Sequence, residues 1–256
     1  MFGFSKKDKK PLCPIPDERR QWLEYAFDWL VGAFGEDSIR RRKVLIPHHS
    51  DFPIQYNGSH VSAIETVRII ACQMEIDPND IELFFYQDGL REISAGDLGS
   101  TIFTTGEGKE GVKSSSGRYM GRQNDGKFHI ALKENYLREP EYMVATLAHE
   151  LSHIKLLGEE RLLENDEQVT DVNTIIFGLG IFNANAAFAS YQDFRSHGWR
   201  KLGYLTQMDW GYALALFAQL RGENDPDWVK HLCKNVKSDF AKSHRYLASA
   251  KSISTI

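Results

Sequence analysis

The chain reads as an α+β protein on three observations. Strand-like runs are confined to its first half: Val44-Leu45-Ile46, Ile81–Tyr86 and Lys127–Lys133. From Pro140 onward, apolar residues recur at the three-and-four spacing of helices buried on one face. The resulting order is helix, strand, helix, strand, strand and then helices, so the strands are segregated rather than alternating regularly with helices. The expected division is a Lys- and Pro-rich tail over 1–16 and a single domain over 17–256. Within that domain, 17–136 form an α/β part and 137–256 a helical part.

The individual elements follow from local chemistry. Trp22, Leu23, Ala26, Phe27, Leu30, Val31 and Phe34 have helical period, and Gly35 can end that helix. The cluster Arg40-Arg41-Arg42-Lys43 is a solvated lead into the strand Val44–Ile46, which Pro47 stops. His48 and His49 are adjacent, so in extended chain they face opposite ways and chelate one ion poorly; a structural role is expected. Ser59 to Met74 is an amphipathic helix through Val61, Ile64, Val67, Ile70 and Ala71, with Cys72 as a core thiol. Asp77-Pro78-Asn79-Asp80 is a turn before the strand Ile81–Tyr86. Residues 89–125 are Gly- and Ser-rich and suit a flap beside a site. The run Gly106–Gly111 lacks the G-K-[ST] ending of a phosphate loop.

Lys127–Lys133 is a strand just before the strongest helix, which has Pro140 in its first turn, a stripe of Val144, Leu147, Leu151, Ile154 and Leu157, and Gly158 at its end. Asn165 followed by Gln168 resembles a capping box for the next helix. Thr174 to Ser190 is the most apolar stretch, but it is short for a bilayer and broken by two glycines and two asparagines, so a buried helix is expected. Residues 207–221 form a helix through Trp210, Ala213, Leu214, Leu216 and Phe217. Asp225-Pro226 begins the last one, which runs to about Ala248.

Composition narrows the function. Of 256 residues, 42% are hydrophobic and 26% charged, as in soluble globular proteins. A net charge of −4 argues against nucleic acid as partner. Three widely spaced cysteines imply no disulfide framework and fit a reducing compartment. The N-terminus carries lysines without a following apolar core, so no secretory signal is read, and the expectation is a cytoplasmic protein with no membrane partner.

The chemistry is concentrated in Thr146-Leu147-Ala148-His149-Glu150-Leu151-Ser152-His153-Ile154. His149 and His153 are four apart, so a helix projects both imidazoles from one face. Two neutral imidazoles at that spacing can reach one tetrahedral Zn²⁺, with Glu150 beside them to take a proton from a water activated by the ion. A catalytic zinc needs a third protein ligand. Downstream, Glu167 and Asp171 form an acidic pair, also four apart, at the start of the next helical pattern.

His149-Glu150-x-x-His153 followed by Glu167-x-x-x-Asp171 resembles the gluzincin zinc metallopeptidases. The resemblance implies a zincin-like fold, Glu167 as the third zinc ligand, Asp171 orienting a metal-binding histidine, and Glu150 as general base in peptide-bond hydrolysis. It also implies an edge strand that holds a peptide or protein substrate by strand addition, near the position of Lys127–Lys133. Glu167 follows His153 by 14 positions, a shorter gap than in thermolysin-like enzymes and closer to the compact, minimal gluzincins. Lys155 stands where the family usually has an apolar residue. More loosely, the whole chain resembles a group of bacterial gluzincin-like proteins. His197, Tyr204 and Tyr212 follow the Glu167 helix and are candidates to stabilise the oxyanion, with no spacing rule to select among them.

Three other readings compete. A zincin-shaped binding or regulatory protein could keep the metal without cutting, although a purely structural zinc has no use for Glu150. A deformylase-like hydrolase needs a cysteine ligand in its own motif, which Cys72 lacks. A di-iron bundle needs a second E-x-x-H, and the sequence has none beyond Glu150–His153.

Overall fold

The structure is a computed structural model. It describes residues 11–87, 90–95, 100–105, 116–187, 189–193, 196–200 and 203–251, with the backbone alone at 90–95, 100–105, 189–193, 196–200 and 251. In chain order the elements are α1 (Asp17–Phe34), α2 (Glu36–Arg41), α3 (His60–Gln73), β1 (Ile81–Tyr86), β2 (Leu90–Ala95), β3 (Ser100–Thr105), β4 (Gly117–Arg122), β5 (Phe128–Lys133), α4 (Pro140–His153), α5 (Glu167–Ile176), α6 (Gly180–Ala186), β6 (Ala189–Asp193), β7 (Ser196–Arg200), α7 (Gln207–Leu220) and α8 (Lys234–Lys251). The class is α+β, as expected, but β6 and β7 fall within the part expected to be helical. No helix among the described residues is long and apolar enough to cross a membrane.

The chain forms two compact units that do not follow the expected division at 136/137. One joins residues 1–42 to 205–256, and the other is the continuous segment 43–204. The first unit is helical. Within it α1 buries Leu23, Ala26, Phe27 and Leu30, the face its periodicity announces, and ends at Gly35. Trp210, Tyr212 and Phe217 of α7 are buried. Thr206 and Asp209 cap α7 reciprocally, and Asp209, itself buried, also pairs with Arg19 at 3.0 Å. The helix expected from Asp225 is instead a tight 3₁₀ turn, Asp227–His231, followed by α8. Residues 1–10 of the expected tail lie outside the described residues, and Ile15 is buried rather than free.

The second unit holds a three-stranded mixed sheet in the order β1-β5-β4, with β1 parallel and β4 antiparallel to β5. The strand expected at Lys127–Lys133 is therefore the central one, and β4 forms an edge among the described residues. Part of the expected flap at 89–125 is regular: β2 pairs with β3, and β4 joins the sheet. The Gly106–Gly111 run lies outside the described residues. Among the helices, α4 packs against α3, α5, α6 and β4. Every residue from Tyr142 to His153 is buried, so α4 is the central helix rather than an amphipathic surface one.

Several local expectations are corrected by packing. Val44–Ile46 is not a strand; Leu45 N–H donates to the carbonyl of Gly178 in a single crossing contact. That contact also divides the predicted helix over 174–190. Gly178 has φ of +75°, and a Cβ there would stand 2.3 Å from the Lys43 carbonyl oxygen, so the chain breaks into α5 and α6 before entering β6. On α3 the packed positions are Ala63, Thr66, Val67, Ile70 and Ala71, while Val61, Ile64 and Cys72 are exposed. Asp51 accepts from Ile46 N–H and pairs with Lys43, whereas His48 and His49 are exposed.

Candidate metal centre

The site is built on α4. Pro140 supplies the preset φ of the first turn, and burial along the whole helix leaves its two histidines little freedom. Their i, i+4 spacing places the rings 5.0 Å apart, edge to face at 87°. The helix does not stop at His153 but passes into a π-turn, Ile154–Gly158, an irregularity found disproportionately at functional sites. Lys155 lies buried in that turn, paired with Glu159 and with its ammonium 5.6 Å from the Phe177 ring centroid. Those contacts accommodate the charge of Lys155 in a buried position.

The third donor comes from the start of α5. Asp166, not Asn165, is the N-cap; its carboxylate accepts from the backbone N–H groups of Gln168 and Val169. Asn165 instead donates to Glu167 Oε1 at 2.8 Å. This leaves Glu167 Oε2 3.0 Å from His149 Nε2 and 3.5 Å from His153 Nε2. Donor atoms of His149, His153 and Glu167 all lie within 4.8 Å of one another. A tetrahedral zinc with bonds of ~2.0–2.1 Å has donor–donor edges of about 3.3 Å, and the distances from Glu167 Oε2 to the two histidines bracket that value, so the group could hold such an ion. Glu164 is exposed and takes no part in the group.

Each histidine is held differently. Asp171, fully buried on α5, accepts from His149 Nδ1 at 2.9 Å, which turns Nε2 towards Glu167. The other oxygen of Asp171 accepts from the Tyr204 backbone N–H at 2.6 Å. His153 Nδ1 has no hydrogen-bond partner among the described residues; its ring is stacked on Tyr119 of β4, centroids 5.7 Å apart and planes at 17°. Glu150 is buried, and its carboxylate is hydrogen-bonded to the Tyr119 backbone N–H. Gly117 allows β4 this close. A Cβ there would stand 2.9 Å from Glu150 Cγ and 2.6 Å from Thr146 Cγ2. Neither Tyr119 nor Gly117 carries a signal in the sequence, because their roles arise only when β4 is laid against α4.

The electrostatics follow from burial and the crowd of acids. Burial alone would lower the pKa of His149, but the hydrogen bonds to Asp171 and Glu167 outweigh it and raise the pKa to about 10. Burial and the charge of His149 push His153 down to about 4. Burial raises Glu150 to about 7, against the opposing pull of His149. Glu167 is held below the usual carboxylate range, since the hydrogen bond and charge of His149 overcome its burial. In the metal-free protein His149 is thus protonated on both ring nitrogens near neutral pH, and an ion at Nε2 must displace the proton there.

The three oxyanion candidates separate. Tyr204 is at the centre: its ring is stacked near that of His149, centroids 6.0 Å apart at 23°, and burial followed by the charges of Glu167, Glu150 and Asp171 raises its pKa. Tyr212 belongs to the helical unit, where its hydroxyl donates to Glu24 at 2.7 Å. His197 lies on β7, whose side chains are outside the description.

Comparison of the chain with protein families, with curated proteins and with solved structures finds no match.

Proposed function

We propose that the protein is a zinc-dependent peptide hydrolase of the gluzincin type with a zincin-like arrangement of sheet and helices. The observation that carries this reading is the convergence of His149, His153 and Glu167 donor atoms beside a buried carboxylate, Glu150, that is not itself a ligand. A structural zinc is normally closed by four protein ligands, whereas three ligands and a neighbouring base leave a position for chemistry. When bound, zinc supplies Lewis acidity that polarises a carbonyl and acidifies a water.

The chain's own residues do the rest. Glu150 takes the proton of the attacking water and returns it to the leaving amine, a role suited to a carboxyl group whose pKa burial has raised towards neutrality. Asp171 keeps the proton of His149 on Nδ1 and its lone pair on Nε2. Tyr204 stays protonated and can donate to the carbonyl oxygen as charge develops there. Among the described residues no strand pairs with the outer edge of β4, so an extended peptide can add there beside Glu150, reading backbone rather than side chains. A cytoplasmic location goes with this reading, supported by three free cysteines.

Elemental analysis of the purified protein, followed by identification of cleavage products from a broad peptide library, tests it. About one zinc per chain is expected, lost in the double variant His149→Ala/His153→Ala. Glu150→Gln should keep the metal and lose ~10²–10⁴-fold in turnover. Equal cleavage by that variant would remove the mechanism. Bound zinc with no cleavage of any peptide would leave a binding or regulatory protein.

A further inference from the structure

The candidate metal centre has a contact that lies outside the His149–His153 and Glu167–Asp171 motifs. Asp171 is gripped from two sides: Oδ1 by His149 Nδ1 at 2.9 Å and Oδ2 by the Tyr204 backbone N–H at 2.6 Å. The residue before that amide is Gly203, with φ of +80°. A Cβ on Gly203 would stand 2.8 Å from Asp171 Oδ2, 3.0 Å from Oδ1 and 3.2 Å from Cγ. All three atoms belong to one fully buried carboxylate, which cannot swing aside without loosening its hold on His149 or on Tyr204. The Tyr204 ring returns over the same histidine. Gly203, Tyr204, Asp171 and His149 therefore form a closed circuit of contacts around one metal ligand.

We propose that Gly203 is a positioning residue of the metal centre: its bare Cα lets the Tyr204 amide seat on Asp171, which fixes the carboxylate that orients His149. The inference rests on the metal-centre reading of the preceding subsection. It separates two effects of adding a methyl group at a left-handed glycine, backbone strain and displacement of a neighbour. Gly126 supplies the comparison. Its φ is also +80°, yet a Cβ there would meet nothing within 4 Å, so Gly126→Ala carries the strain without the collision.

The test measures zinc affinity by chelator competition, thermal stability, and the visible spectrum of the Co²⁺-loaded protein, for wild type, Gly203→Ala and Gly126→Ala. Gly203→Ala should bind zinc ~10–100-fold more weakly and shift the cobalt bands, as loss of a ligand's orienting partner does. Gly126→Ala should match wild type in both while losing some stability. In an Asp171→Ala background, where the three atoms nearest that methyl are gone, Gly203→Ala should weaken zinc binding by less than about 2-fold further. Equal affinity in the two glycine variants overturns the proposal, as does an undiminished penalty in the Asp171→Ala background. Absence of any zinc affinity in wild type removes this inference together with the metal reading. Were Gly203→Ala not to fold, amide exchange of ¹⁵N-tyrosine-labelled protein decides: the Tyr204 amide should exchange slowly in wild type and rapidly in Asp171→Ala. Rapid exchange in wild type overturns the proposal.

Discussion

The ring of Tyr119 lies almost parallel to that of His153, at 17° and 5.7 Å between centroids, and this aromatic packing stands where a hydrogen bond to Nδ1 would be expected. His149 is oriented by a carboxylate, His153 by a neighbouring ring. A stacked pair contributes ~0.5–1.5 kcal/mol beyond area burial, equivalent to roughly 2–10-fold in an equilibrium. Tyr119→Ala should weaken zinc binding by that factor, whereas Tyr119→Phe should leave it unchanged. Chelator competition on the two variants checks this; equal losses in both would mean that the hydroxyl, not the stack, matters.

The third ligand is the next expectation. Glu167→Ala should abolish or sharply weaken zinc binding, since its Oε2 faces both histidines. Glu164→Ala should leave binding unchanged, because that side chain is exposed. Asp171→Asn should lower affinity ~10–100-fold, because an amide cannot replace the negative charge that holds the His149 proton on Nδ1. Zinc titrations of the three variants would reverse the assignment if Glu164→Ala released the metal and Glu167→Ala did not.

The raised pKa of His149 makes metal uptake a proton exchange. In the metal-free protein its folded value, about 10, lies above its ordinary value of 6.5. Its stabilising contribution is therefore fully present below pH 6.5 and is lost as pH climbs through about 10. Melting temperatures of the metal-free protein should fall as pH rises from 6.5 through about 10. Apparent zinc affinity should rise over the same range, by about tenfold per pH unit, as one proton leaves for each ion bound. An affinity flat across that window would show that His149 is not a ligand.

The departures from the sequence reading have particular causes. Cys72, Val61 and Ile64 share a helical pattern with truly buried residues, but α3 is covered along the line of Ala63, Val67 and Ile70, and apolar periodicity does not say which side of a broad stripe meets the core. Asn165 and Asp166 are both good caps, and the choice between them was settled by Glu167, which takes the Asn165 amide for its own Oε1. The helix predicted through Gly178 breaks where that glycine takes a φ of +75°, with the distant Lys43 carbonyl too close for any side chain there.

By itself the sequence determined what is set within a turn or two of the chain. This includes the i, i+4 projection of His149 and His153, the extent of α1 to Gly35, the strands β1 and β5, and the adjacency of Glu167 and Asp171 on one helix face. Only the tertiary structure decided which strand borders the motif helix, that it is β4 rather than β5, and that Gly117 and Gly203 bring backbone against Glu150 and Asp171. It likewise decided that Tyr204 approaches His149 while Tyr212 is engaged by Glu24. The physical reason is separation along the chain. Tyr204 is 33 residues from the Asp171 carboxylate that holds its amide, and Tyr212 is 188 from Glu24. No local spacing rule reaches across such distances; the packing of α4, α5 and β4 around the first pair, and of α1 on α7 around the second, does.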